Sequence, residues 1–411
     1  MDDRPRNLRT MLSEAKDRSE LMVDLAYAAL FFGDPDMAEE VGELEEDMNE
    51  LVHDMRAICV MAVRHPRDAD GMSSVLQVVS AVERIANDAV DIARIVTHEI
   101  GIPAELVADL SGAEEVSHRV LVREGSHMAN MPISALELPV QTGMRIVAVK
   151  RDRDWITDID GDVILVSGDA LFLRGAPEGI VRLRELAAAD PWQPAEPPED
   201  PWLSDLDRAV DVLVEMKNLS EVAVGLAYSA LVLGDRGLAA EVEHLESRLD
   251  QMNDRLELWV LRAASEAIDP SPLRGLLHLA NAAEDIGDQA KQMVWLIAEG
   301  EEIHPILEIA LGDSDEVVMM VEVCVGSTAE GATLAELALN IEPGFTVLAI
   351  RAGERYAYRP RGGRALEAGD EVIASGPEEG REALAHLFGW VFERDEETGE
   401  HVLVPAADVP A

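Results

Sequence analysis

Lysine is nearly absent from this chain of 411 residues, which has four lysines among 34 lysine and arginine residues against 81 aspartate and glutamate residues. The formal net charge is −47. Molar salt shortens the Debye length to about 3 Å and screens the repulsion between so many carboxylates. We therefore expect a halophilic protein. The same charge argues against a nucleic-acid partner, because phosphates require a basic protein face.

Cysteine and long apolar runs are also scarce. Cys59 and Cys324 lie far apart and fit no metal-binding spacing, so we expect reduced structural thiols. The longest apolar run, from Val222 to Gly234, is too short to cross a bilayer. The charged segment at the N-terminus lacks the apolar stretch of a signal peptide. These features predict a cytoplasmic chain that does not insert directly into a membrane.

The chain repeats itself at a spacing of 201 residues, because Leu226 − Leu25 and Glu284 − Glu83 both give 201. The sequence LAYAAL, which starts at Leu25, returns as LAYSAL from Leu226. The register holds without a gap, which indicates a tandem duplication. Between the copies, residues 190–203 are rich in proline and acidic residues. This composition predicts a stiff linker.

The first hundred or so residues of each copy have apolar residues at helical spacing, interrupted by breakers. We predict three long helices per copy, packed as an antiparallel bundle. The predicted helices cover about 8–31, 36–63 and 72–100 in the first copy and about 205–232, 237–265 and 272–300 in the second.

The remainder of each copy changes to the short apolar runs and alternation that are typical of strands. We predict strands near 116–122, 144–150 and 169–173, and near 317–325, 345–351 and 370–374. A short helix follows the first strand and another helix closes the unit. The predicted fold class is therefore α+β multidomain, with two three-helix bundles alternating with two small α+β units.

The helical parts resemble PhoU-type three-helix units. The segments that carry this resemblance are ERIANDAVDIA (Glu83–Ala93) and EDIGDQA (Glu284–Ala290), which are similar to the ERIGD helix of that family. The α+β parts resemble the TrkA C-terminal domain, also called RCK_C. The second copy carries that resemblance in three segments: Val325–Leu339, Gly344–Arg351 and Glu367–Gly376.

The resemblance divides the chain into six segments. They are a PhoU-like bundle over 8–105, a TrkA_C domain over 113–189, the linker over 190–203, a second PhoU-like bundle over 204–305, a second TrkA_C domain over 314–392 and an acidic tail over 393–411. The resemblance implies a cytoplasmic, ligand-sensing regulator of cation transport that acts on a membrane transporter or channel, with potassium as the expected ion. The alternative is a PhoU-like metal-binding regulator of phosphate uptake or signalling. Because no catalytic constellation is visible, we do not expect an enzyme.

A glycine-rich turn in each TrkA_C-like part is the candidate ligand site. In the second copy, Gly326–Thr333 has the spacing of a phosphate-binding P-loop, but Ala332 stands where the lysine would be, which argues against an NTPase. Two interpretations remain: a turn that cradles an anionic ligand, and a turn that only joins strand to helix. The resemblance implies a nucleotide such as cyclic di-AMP as the ligand. The candidate ligand-binding residues are Ser126, Asn130, Ser327, Gly331 and Arg351.

Carboxylates spaced at i, i+4 and i+8 form stripes on the second and third predicted helices of each copy. Facing stripes would supply oxygen ligands to a divalent or iron-type metal, as PhoU-type motifs do, or would form a hydrogen-bonded polar seam. The candidate metal ligands are Glu246, Asp250, Glu284 and Asp288 in the second copy and Glu45, Glu83 and Asp91 in the first. Because Asn49 and Asn87 replace two carboxylates in the first copy, we expect the second copy to bind metal more tightly.

The family's TrkA_C domains pair about a twofold axis, and one chain with two copies can form such a pair by itself. The cleft between the copies would be asymmetric, since Asn130 and Lys150 stand where the second copy has Gly331 and Arg351. Asparagine tolerates the left-handed conformation, so the turn of the first copy can be retained. We expect either a monomer that prefers an asymmetric ligand or a homodimer formed through the second-copy domains.

Overall fold

The computed structural model describes residues 7–103, 106, 116–152, 154–157, 159, 161–175, 177–191, 205–266, 270–300, 303–312, 316–353, 355–358, 360, 362–394 and 401–406. The chain forms two compact units, and each combines the equivalent parts of both copies. One unit takes residues 1–117 and 193–314, and the other takes residues 118–192 and 315–411. The two helical parts therefore belong to one unit and the two α+β parts to the other, although these parts alternate along the sequence. Within the described residues, no helix has both the length and the apolar character needed to cross a bilayer.

The elements follow the predicted order. The helices are α1 (Leu8–Phe32), α2 (Pro35–Ala62), α3 (Pro66–Thr97), α4 (Leu138–Thr142), α5 (Ile180–Leu186), α6 (Asp205–Leu233), α7 (Arg236–Glu266), α8 (Leu273–Glu299), α9 (Pro305–Leu311), α10 (Leu334–Leu337) and α11 (Arg381–Leu387). The strands are β1 (Val116–Leu121), β2 (Met144–Arg151), β3 (Asp154–Ile156), β4 (Ala170–Gly175), β5 (Glu316–Glu322), β6 (Thr346–Ala352), β7 (Arg355–Tyr358), β8 (Glu371–Pro377), β9 (Trp390–Arg394) and β10 (His401–Pro405).

Local signals at the helix ends explain why each bundle turns where it does. Gly33 ends α1 in the left-handed conformation, with φ of 59°. The side chain of Asp34 then accepts hydrogen bonds from two backbone N–H groups at the start of α2, whose first residue is Pro35. The second copy repeats the signal with Gly234 at φ 61° and with Asp235, whose carboxylate accepts a hydrogen bond from the next helix. The three predicted long helices of each copy are confirmed, although α3 begins before the predicted start.

The two bundles pack against each other in the helical unit, mainly through α3 and α8. Small buried residues, such as Ala86 and Ala89 on α3 and Ala283 on α8, let neighbouring helices approach closely. At one end, the side-chain amide of Gln77 donates to the backbone carbonyl of Gln292 at 2.6 Å. The helical unit is thus one packed body made from both copies.

Two lysines connect the copies reciprocally. The ammonium of Lys16 lies 5.1 Å from the ring centroid of Tyr228, and that of Lys217 lies 5.0 Å from the ring centroid of Tyr27. Both pairs are related by the 201-residue spacing, so the contacts obey an approximate twofold symmetry. Lys16 is 3% exposed and Lys217 is 6% exposed. A cation over an aromatic face contributes about 2 kcal/mol when it is desolvated.

The interface between α3 and α8 also buries one carboxyl group without a hydrogen-bond partner. Oδ2 of Asp88 has no partner among the described residues, and neither has Oε1 of its counterpart Gln289. Burial is the largest cause of the rise in the pKa of Asp88 to about 8, to which the charges of Asp285 and Asp91 contribute and which Arg84 opposes. Asp88 therefore stays protonated to a higher pH in the folded chain than in the unfolded chain.

Asp88→Asn should make the free energy of unfolding depend less on pH. The unfolded chain loses the proton of Asp88 near its ordinary pKa and the folded chain keeps it, so stability falls as pH rises between about 4 and about 8. This residue contributes a slope of up to about 1.4 kcal/mol per pH unit. In urea titrations at molar KCl, Asp88→Asn should therefore exceed the wild type in stability at about pH 8 by more than at about pH 5.

The exposed Asp47 supplies the control, since its side chain is 67% accessible and Asp47→Asn should leave the pH slope unchanged. An Asp88→Asn protein with the same pH slope as the wild type would contradict this assignment.

Each α+β part is a four-stranded sheet, with strand orders β1-β4-β2-β3 and β5-β8-β6-β7. The neighbouring strands β2 and β4, and β6 and β8, run antiparallel and carry an irregularity at equivalent positions, near Val147 and Leu348. A buried aspartate, present in both copies, holds together the loop before β4 or β8. Oδ2 of Asp169 accepts from the N–H of Val166 at 2.8 Å, and Oδ2 of Asp370 accepts from the N–H of Glu367 at 3.1 Å.

The two α+β parts pair with each other through close backbone contacts. A Cβ on Gly143 would lie 1.9 Å from the carbonyl oxygen of Asn340, and a Cβ on Gly344 would lie 2.5 Å from that of Pro139. These two contacts are again related by the 201-residue spacing. Only glycine permits such an approach, and both glycines also have positive φ. The pairing expected for one chain is therefore present within the α+β unit.

The C-terminal segment departs from the predicted acidic tail over 393–411. Strands β9 and β10 pair antiparallel over Trp390–Arg394 and His401–Pro405. The indole N–H of Trp390 donates to the carbonyl of Glu322 at 2.7 Å, and Phe392 and Leu403 pack on the core of the second sheet. These apolar residues, spaced among acidic ones, provide the burial that a solvated tail would lack. Residues 395–400 and 407–411, and residues 192–203 of the predicted linker, lie outside the described residues.

Gly143→Ala should separate the two α+β parts, whereas Gly125→Ala should not. Both glycines have positive φ, of 65° and 75°, so each alanine adds left-handed strain of about 1–2 kcal/mol. Only at Gly143 does the new methyl also meet a carbonyl of the other copy, since nothing lies within 4 Å of a Cβ at Gly125. Guanidinium titrations at molar KCl should show the larger loss of stability for Gly143→Ala. Equal losses would contradict the pairing.

Candidate ligand and metal sites

The predicted ligand turn has the same backbone in both copies. Asn130 has φ 65° and Gly331 has φ 78°, so asparagine holds the left-handed conformation that glycine holds in the second copy. The N–H of Asn130 donates to the carbonyl of Leu165 at 2.7 Å, and that of Gly331 donates to Leu366 at 2.9 Å. The replacement of glycine by asparagine therefore preserves the turn.

The serines of these turns have buried hydroxyl oxygens with no hydrogen-bond partner among the described residues. Oγ of Ser126 and Oγ of Ser327 are both inaccessible to solvent and form no hydrogen bond with the described residues. Their positions are equivalent, 201 residues apart. A buried hydroxyl without a partner costs about 1–3 kcal/mol, so the same cost is present at the equivalent place in both copies.

Arg351, the fifth predicted ligand residue, lies on β6 and is already engaged. Its Nε donates to Glu371 and its Nη1 donates to the hydroxyl of Tyr356 at 3.2 Å. The hydrogen bond to Glu371 is the main reason that the pKa of Arg351 is raised. The equivalent Lys150 has its ammonium 4.8 Å from the ring centroid of Trp155. Each sheet thus carries a cation beside an aromatic ring, and a ligand would compete with these contacts.

The second helical bundle brings the predicted carboxylates of α7 and α8 together. Ligand atoms of Glu246, Asp250 and Asp288 all lie within 4.8 Å of one another. Glu284 completes this carboxylate cluster, since it interacts with Asp250. Burial is the largest cause of the rise in the pKa of Glu284 to about 7, followed by the charges of Asp288 and of the neighbouring Asp285. Oxygen ligands of this kind suit a hard or divalent metal.

A lysine missing from the predicted ligand set lies in this cluster. Nζ of Lys291 donates to Oε1 of Glu246 at 2.7 Å, and this hydrogen bond is the main cause of the raised pKa of Lys291. The sequence contained two signals: Lys291 is one of four lysines, and it follows Asp288 by three residues on the same helix. The carboxylate oxygens of this cluster are therefore suitable ligands for a metal, but a metal would have to displace the ammonium of Lys291 from Glu246.

The first bundle arranges its candidates differently. Arg56, also missing from the predicted set, donates to Glu83 through Nη1 at 3.2 Å and Nη2 at 2.5 Å. Glu45 accepts from the amide of Asn49 at 2.7 Å, and Asp91 pairs with Arg94 at 2.5 Å. Among the described residues, the three carboxylates are thus engaged separately, which favours a polar seam in this copy.

Two family models match the chain, and each matches it twice. The PhoU domain model matches residues 12–96 and 213–296. The TrkA-C domain model matches residues 118–188 and 318–389. The chain therefore contains two PhoU domains and two TrkA-C domains in alternation. These matches confirm the resemblance that the sequence segments predicted.

Solved structures with similar parts have low sequence identity to the chain. The crystal structure of PhoU from Pseudomonas aeruginosa is 16% identical, covers 71% of this chain and 93% of its own, and gives a TM-score of 0.39. The GsuK channel bound to NAD is 14% identical over 76% of this chain and 64% of its own, with a TM-score of 0.18. The GsuK RCK domain is 14% identical over 72% of both chains, also with a TM-score of 0.18. No curated protein matches the chain.

Ser126→Ala and Ser327→Ala should leave the free energy of unfolding unchanged or raise it. Each substitution removes a buried hydroxyl that has no hydrogen-bond partner among the described residues and leaves only a small void. The expected change lies between zero and about +1 kcal/mol, measured by guanidinium titration at molar KCl without added ligand.

Ser220→Ala is the matched control, because its equally buried hydroxyl donates to the carbonyl of Lys217 at 2.8 Å and its loss should destabilise the helical unit. A clear loss of stability in both turn variants would show that the hydroxyls have structural partners.

Proposed function

We propose that this protein is a cytoplasmic regulator of cation transport, with potassium as the expected ion, that senses a small anionic ligand through its TrkA-C domains. The observation that carries the proposal is the pair of equivalent buried hydroxyls in two equivalent turns, within domains that match the TrkA-C model. The expected partner is a membrane cation transporter or channel. Both domain families are regulatory rather than catalytic, which supports a role other than that of an enzyme.

The ligand would act by linkage. A ligand that binds one arrangement of the paired TrkA-C domains more tightly than another shifts the population toward that arrangement. The close approach of Gly143 to Asn340 makes such a pair sensitive to small shifts, because the backbones have no space to accommodate them. The helical domains would then carry the altered arrangement to the transport partner.

The expected ligand class is a nucleotide. Lys150 and Arg351 supply one cation to each copy for the phosphates of such a ligand, which would compete with their present contacts to Trp155 and to Glu371. The turns differ in Asn130 and Gly331, so the two halves of the pair are not identical. A single chain should therefore prefer an asymmetric nucleotide, whereas cyclic di-AMP suits a homodimer in which the second-copy domains face each other.

Calorimetry at molar KCl with cyclic di-AMP, ATP and NADH tests this proposal, together with light scattering for the mass in solution. We expect one nucleotide to bind, and we expect Ser327→Ala or Ser126→Ala to weaken binding by about tenfold. Ser265→Ala is the control, since its hydroxyl lies in the helical unit and donates to the carbonyl of Arg262. If none of the three nucleotides binds at millimolar concentration, the nucleotide-sensing role is wrong.

A second candidate function is metal-dependent regulation of phosphate uptake or signalling, and the cluster of Glu246, Asp250 and Asp288 favours it. In this case the second PhoU domain would hold a divalent or iron-type metal through these carboxylates and Glu284. Metal analysis of protein grown with iron and manganese distinguishes the candidates. Metal that is lost in Glu246→Gln but retained in Glu45→Gln would support the second one.

A further inference from the structure

The carboxylate cluster of the second PhoU domain contains more negative charge than its own cation can neutralise. Four carboxylates, Glu246, Asp250, Glu284 and Asp288, form the cluster, and the ammonium of Lys291 is hydrogen-bonded to Glu246, so up to three negative charges remain when all are ionised. The side chain of Glu246 is only 7% exposed, whereas that of Lys291 is 41% exposed. The buried acid is thus held by a cation that can move out toward solvent without a change in the helices.

The first PhoU domain supplies a cation to its own stripe from a different position. Arg56 pairs with Glu83, the counterpart of Glu284. The counterpart of Arg56 is Glu257, and the counterpart of Lys291 is Val90. Each copy therefore has a basic residue among its facing stripes, but the two residues stand at positions that do not correspond in the repeat. Because an unpaired, partly buried carboxylate is costly, this recurrence indicates that a carboxylate on the facing stripes of each copy needs a cation and that the chain provides one.

We propose that Lys291 is a tethered cation that occupies the metal position of the second PhoU domain, so that this domain is stable without metal and a divalent metal binds only by displacing the lysine. The ammonium and the metal compete for Glu246. The affinity of the cluster for metal is therefore set by Lys291, and the cluster becomes a stronger metal site when this side chain is removed. The inference stands apart from ligand sensing by the TrkA-C domains and bears only on the metal-dependent candidate.

Lys291→Val tests the inference, because valine is the residue that the first copy has at this position. Calorimetric titration with Mn²⁺ of the full chain, in molar KCl to screen binding to the general acidic surface, should show one site that is about tenfold or more tighter than in the wild type. In the absence of Mn²⁺ the variant should melt at a lower temperature than the wild type, and Mn²⁺ should restore the difference.

Arg56→Leu is the matched control, because it removes one positive charge from the equivalent cluster of the first domain. That cluster has Asn49 and Asn87 in place of two carboxylates, so Arg56→Leu should leave Mn²⁺ affinity at the wild-type value. Lys291→Gln serves as a second variant if Lys291→Val requires Mn²⁺ to fold, and it should show the same gain in affinity. The inference is overturned if neither Lys291 variant binds Mn²⁺ more tightly than the wild type, or if Arg56→Leu gains as much.

Discussion

The packing of each copy against the other is the constraint on which this structure depends. In the helical unit, a lysine of one copy lies over a tyrosine of the other, in both directions. In the α+β unit, a glycine of one copy lies against a backbone carbonyl of the other, again in both directions. Reciprocal contacts of this kind are typical of a twofold interface between identical subunits. The duplication places both halves of such an interface in one chain, so the two halves can differ in sequence.

The differences between the halves include positions in the candidate ligand turn and in the carboxylate stripes. The turn has Asn130 in one copy and Gly331 in the other, yet the backbone is the same. The stripes have amides at residues 49 and 87 where the second copy has Asp250 and Asp288. A homodimer would have to change both halves at once. In this chain one copy can keep a site while the other keeps only the packing that supports it, so regulation and stability can be divided between them.

The scarcity of lysine gives each of the four lysines a recognisable place. Two lie between the bundles beside tyrosines, one lies beside Trp155, and Lys291 lies among carboxylates. A lysine ammonium is a compact point charge, whereas the guanidinium of arginine is a planar fork. Arginine also lies over aromatic faces in this chain, as Arg351 does over Tyr356, but each of the four lysines lies beside an aromatic ring or among carboxylates. The low lysine content by itself predicts adaptation to salt, whereas the positions of the four lysines show which contacts they make.

The sequence predicted what depends on local chemistry and on the repeat. The breakers at Gly33-Asp34 and their counterparts predicted the helix ends, and the left-handed tolerance of asparagine predicted the turn at Asn130. The ion pair between Arg56 and Glu83 was missed because it joins two helices. The repeat gave no signal for it either, since the second copy has Glu257 in place of Arg56. The pairing of β9 with β10 was missed because its two short apolar runs, Trp390–Phe392 and Val402–Val404, flank an acidic stretch that favoured the prediction of a solvated tail. Both contacts depend on how segments that are separate in sequence align in space. A pattern within one segment does not predict that alignment.

The four lysines also allow a direct test of the pairing between copies. Selective ¹³C labelling of the lysine ε-carbons gives four signals, and the rings of Tyr228 and Tyr27 should displace those of Lys16 and Lys217. At molar KCl, Tyr228→Leu should move the signal of Lys16, which lies in the other copy, and Tyr27→Leu should move that of Lys217. The signals of Lys150 and Lys291 should stay in place. If each tyrosine substitution moves only the lysine of its own copy, or moves neither, the two copies do not pack as described.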